Sequence, residues 1–340
     1  MPYRYGRPTP ASSALPSLLS EAGRLRAFVP PFRFTSFFSP EDTLLCMVAA
    51  EASLSHARQP GMTIPGREPL RIAELTSGSG LIGLHLLRIE RNSTLLGLDL
   101  DPSAAAVATD NAEMLALTRR TRFTRADLAS RNTENLLVRE RAQLIVCNPP
   151  YVPEPSSGNL PVEAGAGPNG TAHLMRAIEL ARIVRPRALA LSWCSLSHPE
   201  QVVKEAEKSG YRLNSLFVAL IADGEYSGAV GGYLRSLPTA FLNDSPETLA
   251  AIAPDGSASF GYLLMSGEFS RASSGPGRPE ATASEQIRTI CSRFARRGLA
   301  SLDSLQTSFP LRVWLMDRWD EVRLRAFLHG EVPQLSVTPA

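Results

Sequence analysis

Apolar residues in this chain come in short, nearly unbroken runs, parted by glycine- or proline-rich turns and by stretches of helical spacing. Leu70-Arg71-Ile72-Ala73-Glu74-Leu75, Thr94 to Asp99, a short run at Arg122-Phe123-Thr124, Leu144-Ile145-Val146-Cys147 and Ala188 to Trp193 read as strands. Helical segments fall between them: Leu81 to Leu87, a stretch opened by Asp101-Pro102-Ser103 that runs to about Leu117, and Pro199 to Gly210. Strand–helix alternation of this kind predicts a parallel sheet with helices on its faces. Arg212 to Ala222 and Ser259 to Phe269 alternate in polarity and read as antiparallel closing strands. The expected fold is α/β: a doubly wound, mostly parallel seven-stranded sheet with an antiparallel last strand.

The flanks divide the chain further. Residues 1–67 are expected to form a cap or substrate segment. Within it Ser39-Pro40-Glu41-Asp42-Thr43 opens a helix to about His56, expected to lie across the ligand crevice. The phenylalanine-rich stretch Phe32 to Phe38 would line the substrate entrance or cover the sheet. Residues 68–270 form the expected core. It carries an insertion at about 223–257, whose Gly224, Gly228, Gly231 and Gly232 suit a lid or substrate loop. Residues 271–284 read as a flexible linker and 285–340 as a helical extension, with helices expected at Glu285 to Arg297 and Leu311 to Phe327. Arg288, Arg293, Arg296 and Arg297 on the first would touch an anionic substrate or simply form part of a solvated helix pair.

Composition narrows the chemistry. A net charge of +2 over 340 residues is not that of a nucleic-acid coat. Cys46, Cys147, Cys194 and Cys291 lack metal-ligand spacing, so no metal site is expected. No apolar run reaches membrane-spanning length and no signal-like segment opens the chain, which makes a cytoplasmic enzyme the expectation. Oligomeric state stays open.

Two turns carry the candidate site. Asn148-Pro149-Pro150-Tyr151 directly follows an apolar strand, and neither proline can extend a sheet ladder. The chain must leave the strand tip in a stiff, extended turn that fans out the Asn148 side chain and the carbonyls of Asn148 and Pro149 beside an aromatic ring. Two acceptors of that kind suit a flat –NH2 group; an ordinary Asn-Pro loop start is the alternative. The other turn is Thr76-Ser77-Gly78-Ser79-Gly80, between a strand and a helix N-terminus. Asp99, at the next strand tip, would accept ribose hydroxyls, and Glu74 would hold a cationic amino group. Each acid has a structural alternative: Glu74 as a helix cap, Asp99 as a turn starter, Asp127 as an N-cap. Gly78, Gly80 and Gly83 also satisfy G-x-G-x-x-G, so a nicotinamide-dependent oxidoreductase is a rival, as is a nucleotide-binding module without turnover.

Glu74-x-Thr76-x-Gly78-x-Gly80, Asp99, Asp127 and Asn148-Pro149-Pro150-Tyr151 together resemble the motifs of class I S-adenosylmethionine-dependent methyltransferases. They are most similar to the amino-group-methylating branch of HemK-type glutamine, rRNA guanine and DNA adenine enzymes. The resemblance spans about residues 68 to 215 and includes Gly165 to Gly170 with a following helix to about Val184. It implies a Rossmann-like fold and S-adenosyl-L-methionine as cofactor. Glu74, Thr76, Gly78 and Gly80 would lie at the methionine part, Asp99 at the ribose, and Asp127 with Leu128 at the adenine edge. Asn148 and Pro149 would orient the target nitrogen, Pro150 would complete the catalytic turn and Tyr151 would pack on the target, with Asn148 also counted among the cofactor-binding residues. The substrate would be a protein glutamine, a nucleic-acid base or a small-molecule amine. The family usually has Asp and glycine where this chain has Glu74 and Thr76. HemK-type proteins also carry a helical domain ahead of the core, which the first seventy residues here do not resemble.

Overall fold

Runs of apolar residues without alternation make strands buried on both faces, and those strands form the centre of this molecule. The computed structural model describes residues 39–58, 68–158, 160–252, 258–272 and 282–314. Phe32 to Phe38, most of the expected linker and residues 315–340 lie outside that set. In chain order the elements begin with helix α1 (Pro40–Ala57), β1 (Leu70–Leu75), α2 (Leu81–Ile89), β2 (Ser93–Asp99), α3 (Pro102–Met114) and β3 (Thr121–Arg125). Next come α4 (Arg131–Glu140), β4 (Leu144–Cys147), α5 (Ala172–Val184), β5 (Ala188–Cys194), α6 (Pro199–Lys208) and β6 (Tyr211–Ala222). Three short helices, α7 (Glu225–Ala229), α8 (Gly231–Ser236) and α9 (Pro246–Ile252), lead to β7 (Gly261–Arg271), α10 (Ala283–Arg297) and β8 (Leu311–Trp314).

The strands form one sheet in the order β3-β2-β1-β4-β5-β7-β6-β8. All pairings are parallel except those of β7, which runs against both β5 and β6. Every residue of β4 and β5 is buried. Helices α4, α5, α6 and α10 pack in succession, as do α1 and α2. Local signals start the helices: Asp101 caps α3 by accepting from the Ser103 amide at 2.8 Å, and Ser130 caps α4.

Three expectations need correction. The sheet has eight strands, not seven, because Leu311–Trp314 is a strand where a helix was expected. The free edge of β6 offers a ladder of backbone groups, and Trp314 stacks on Phe217 with ring centroids 5.7 Å apart. Tertiary pairing overrides a helical spacing there. Helix α10 is also no solvated accessory. Its capping box joins Thr282 and Glu285, and Ile287, Ile290, Cys291 and Phe294 are fully buried where it meets α6. Helix α1, finally, lies on the sheet over β5 and β7 beside α2, so that only its first turn reaches the strand tips instead of the whole helix crossing the crevice. Within the insertion, Val230 and Leu234 are buried, and Asn243 bridges to Gly261 and donates to the Phe294 carbonyl at 2.7 Å.

Truncation after Phe269 should therefore damage the core. Each large apolar side chain removed from α10 withdraws roughly 1.5–3 kcal/mol of burial. A soluble fragment with a sharp calorimetric transition near that of the full chain would contradict this.

Candidate active site

In the sheet order β1 neighbours β4 although two strands and three helices lie between them in the chain, and this is the switch point where an open α/β sheet places ligands. Leu75 pairs with Leu98 on one side and with Cys147 on the other. The turn after β1, Asp99 at the end of β2 and Asn148 after β4 therefore emerge at one level.

The turn after β1 is held from several sides. The Ser77 amide donates to the Leu98 carbonyl at 2.9 Å and the Gly80 amide to Ser77 at 2.7 Å. Buried Asn111, on α3, donates to the Ser79 carbonyl at 2.9 Å. Gly80 has φ +74°, and a Cβ there would stand 2.9 Å from the Phe123 ring, so a larger residue would be strained and would have to displace that ring. Thr76 has φ +54°, a region in which a β-branched residue is a true outlier and which costs on the order of 1–3 kcal/mol. Its hydroxyl donates to the Leu75 carbonyl and its oxygen lies 3.8 Å from Cys147 Sγ.

The acids divide into different tasks. Asp99 Oδ2 accepts the Gly78 amide at 2.7 Å and Oδ1 the Asp101 amide at 3.0 Å, leaving a second lone pair on each oxygen. Burial raises its carboxyl above the usual range. Glu74 is 3% exposed and accepts the Gly83 amide at 3.1 Å, at the start of α2. A Cβ on Gly83 would come within 2.5 Å of that carboxyl, which is why the third glycine stands where it does. Burial pushes Glu74 up to about 8, so at neutral pH it is mostly uncharged and braces the helix start from within.

On the β4 side, Asn148 Oδ1 is buried and has no hydrogen-bond partner among the described residues. Such an atom is costly unless something else donates to it. Tyr151 is 7% exposed, and its hydroxyl hydrogen-bonds to buried Asp42 in the first turn of α1. Burial raises the carboxyl of Asp42 and the phenol of Tyr151 alike. The segment beyond folds back along the turn: Val152 donates to Ala164 and Ala166 to Val152, each at 3.1 Å. Gly170 passes so close that a Cβ would sit 2.4 Å from the Tyr151 carbonyl. Tyr233 of α8 ties the insertion to this segment by donating to the Pro168 carbonyl at 3.0 Å.

Asp127 is exposed and turns back to accept the Ala129 amide at 2.8 Å, while Leu128 is buried. Arg176, on α5, donates to the Leu128 carbonyl at 2.7 Å and pairs with Glu134 and Glu179. The structure thus gathers Glu74, Thr76, Gly78, Gly80, Asp99 and Asn148 at adjacent strand tips, with Asp127 and Leu128 beyond β3. Sequence reasoning missed Asn111, Arg176 and the contact of Asp42 with Tyr151. In the sequence Asp42 looks like any first-turn acid, and nothing local signals a partner 109 positions away. Among the described residues no group of His, Cys, Asp or Glu could hold a metal ion, and no helix is long and apolar enough to cross a membrane.

Part of the chain is similar in sequence to known methyltransferases. Residues 62–159 match the family model of the methyltransferase small domain. The chain is 42% identical over 83 residues to the release factor glutamine methyltransferase of Rhodospirillum rubrum, covering 24% of each protein. It is 33% identical over 121 residues to the tRNA1(Val) (adenine(37)-N6)-methyltransferase of Dickeya chrysanthemi, covering 35% of this chain and 45% of that one. The chain thus spans about a quarter of the first relative's length and under half of the second's. Among solved structures, the Mtq2–Trm112 complex of E. cuniculi superposes with a TM-score of 0.35 at 19% identity, over 70% of this chain and 100% of that one. The resemblance to S-adenosylmethionine-dependent methyltransferases holds, and the nicotinamide reading is not favoured.

The enclosed Glu74 makes a pH signature. Its carboxyl titrates near 8 when folded against an ordinary 4.5, so the unfolded chain ionises first. Its favourable contribution is complete below about pH 4.5 and is lost as pH rises towards 8, by on the order of 1 kcal/mol per pH unit. Glu74→Gln should remove that slope. By calorimetry, its melting temperature relative to the parent should climb between pH 5 and 8 and then level off.

Proposed function

We propose that this protein is an S-adenosylmethionine-dependent methyltransferase acting on a planar –NH2 nitrogen. The observation that carries this reading is Asn148 Oδ1, a buried acceptor without a partner among the described residues, on a stiff turn beside the glycine-rich one. The residues present suit the cofactor. Asp99 keeps acceptor sites for two ribose hydroxyls, the turn from Thr76 to Gly80 lies against the start of α2, and Leu128 offers an apolar edge for adenine. When bound, S-adenosylmethionine supplies an electrophilic methyl group.

The chain's own residues then do two things. Asn148 Oδ1 and the Pro149 carbonyl accept the two hydrogens of the target amine, fixing its plane and aligning its lone pair. As positive charge grows on that nitrogen, the same acceptors strengthen, which is electrostatic preorganisation without a strong base. Pro149 and Pro150 keep the turn rigid, and Tyr151 packs at the acceptor side, anchored by Asp42. Glu74 acts from behind by fixing the first turn of α2. Acceptor nitrogens of the required kind are the glutamine amide and the adenine N6 amine named for the two relatives, and comparable small-molecule amines.

Calorimetry with S-adenosylmethionine and with NAD should give binding for the first alone. Asn148→Ala should keep cofactor affinity within a few-fold while labelled methyl transfer to a glutaminyl peptide, tRNA or amine panel falls about 10²–10³-fold. Methylation on oxygen, sulfur or carbon, with near-normal turnover in that variant, would sink the nitrogen reading.

A further inference from the structure

At the opposite edge of the sheet from the crevice, arginines gather where the parallel strands begin. Arg71, Gln143 and Arg187 stand at the starts of β1, β4 and β5, and backbone bonds hold them at one level. The Gln143 amide donates to the Arg71 carbonyl at 2.7 Å, and the Arg187 amide to the Gln143 carbonyl at 2.9 Å. Arg271, at the end of antiparallel β7, extends the row through its amide, which donates to the Arg187 carbonyl at 3.0 Å. With neighbouring strands about 4.8 Å apart, the row sets its arginine positions over roughly 14 Å.

Arg71, Arg141, Arg185 and Arg187 line one cleft of about 250 Å³ together with Gln143 and Glu68, the one carboxylate in its wall among the described residues. Two of the four are held in place: Arg71 Nε donates to the Arg141 carbonyl at 3.0 Å and Arg187 Nη1 to the Ala57 carbonyl at 3.3 Å. Arg141 and Arg185 are exposed, and their guanidinium groups make no hydrogen bond or ion pair with another described residue. These two end α4 and α5 in the left-handed region, at φ +51° and +57°, where glycine is the usual occupant. Arg185 also precedes Pro186, and a proline pushes its predecessor towards extended backbone. A cation at a helix C-terminus offsets the dipole, which accounts for one charge per helix. It does not account for two strand-start arginines facing the same cleft, or for four guanidinium groups set against one carboxylate. Like charges so placed repel one another until an anion comes between them.

We propose that this cleft binds the phosphodiester backbone of a nucleic acid. Planar guanidinium forks match phosphate oxygens in pairs. A net charge of only +2 makes any attraction for a polyanion local, and this edge is where it is concentrated. No aromatic residue lines the cleft among the described residues, so nothing there stacks a base, and the contacts are to backbone instead of sequence. Arg271 continues the row past the cleft, which suits a chain of phosphates better than one small anion. No residue of the cleft belongs to the crevice, so the inference stands apart from the methyl-transfer reading.

The test measures fluorescence anisotropy of labelled oligouridylate, oligoadenylate and oligothymidylate over a salt series. The parent chain is compared with R141Q/R185Q, with R141G/R185G, and with R296Q/R297Q, which removes the same charge from α10. The parent should bind all three oligomers within a few-fold of one another. R141Q/R185Q should bind about tenfold more weakly, and its slope of log affinity against log salt should be shallower by about 1.4. R296Q/R297Q should stay within about twofold of the parent, and the affinity of R141Q/R185Q for S-adenosylmethionine should equal the parent's. R141G/R185G loses the same charges but relieves the backbone, so it should melt no lower than the parent and still bind the oligomers weakly. Parental affinity in either variant of Arg141 and Arg185, or an equal loss in R296Q/R297Q, would overturn the assignment. Displacement of oligouridylate by micromolar tripolyphosphate or ATP would mark a site for free polyphosphate and overturn the nucleic-acid occupant. No oligomer binding by the parent would overturn it outright, leaving the methyl-transfer reading to its own tests.

Discussion

The parallel pairing of β1 with β4, with Leu75 opposite Cys147, is the constraint on which the rest of the site depends. A parallel register sets both strands to end at one level, and the strand order reverses there, which opens the crevice such a sheet offers to a ligand. Slip that register by one residue and the side chains on each strand change faces. Glu74 would leave its place against the Gly83 amide, and Asn148 would no longer stand beside the glycine-rich turn. The pairing is strongly specified because the residues of β4 are all buried, so that every alternative register exposes apolar surface or buries polar groups.

Around that seam the charges are arranged with some economy. Glu74 and Asp42 are buried carboxyls raised by desolvation, one bracing a helix start and the other tied to a phenol. Asp99 spends part of its capacity on the backbone of the turn it faces. Among the described residues at these strand tips, a buried acceptor without a partner is a neutral amide oxygen, that of Asn148. A neutral, fixed dipole stabilises positive charge as it develops on a nitrogen, and it needs no reorganisation to do so. Tyr151, meanwhile, couples the Asn-Pro-Pro-Tyr turn to α1, so the segment ahead of the core takes part in fixing that turn.

Local sequence carried the strands of the parallel half well. β1 and β4 begin and end where their apolar runs do, and β2, β5 and α1 fall within a residue or so of the expected limits. The glycine-rich turn and the Asn-Pro-Pro-Tyr turn were legible because each rests on a backbone requirement, positive φ or missing donors, that only a few residue types meet. The C-terminal part was less legible. Leu311–Trp314 pairs as a strand because β6 has an open edge, and α10 is buried because α6 lies against it.

What the sequence determined by itself, then, was the set of elements in the core, the two turns and the chemistry those turns can offer. These follow from steric and hydrogen-bonding rules that act over a few residues. What only the tertiary structure decided was which of those groups face one another and in what state. Asp42 meets Tyr151, Arg176 holds Leu128, Asn111 holds the glycine-rich turn, and Glu74 loses its charge to burial. Contacts between residues far apart in the chain, and the desolvation that shifts a carboxyl, depend on where whole elements pack, and no local pattern encodes that.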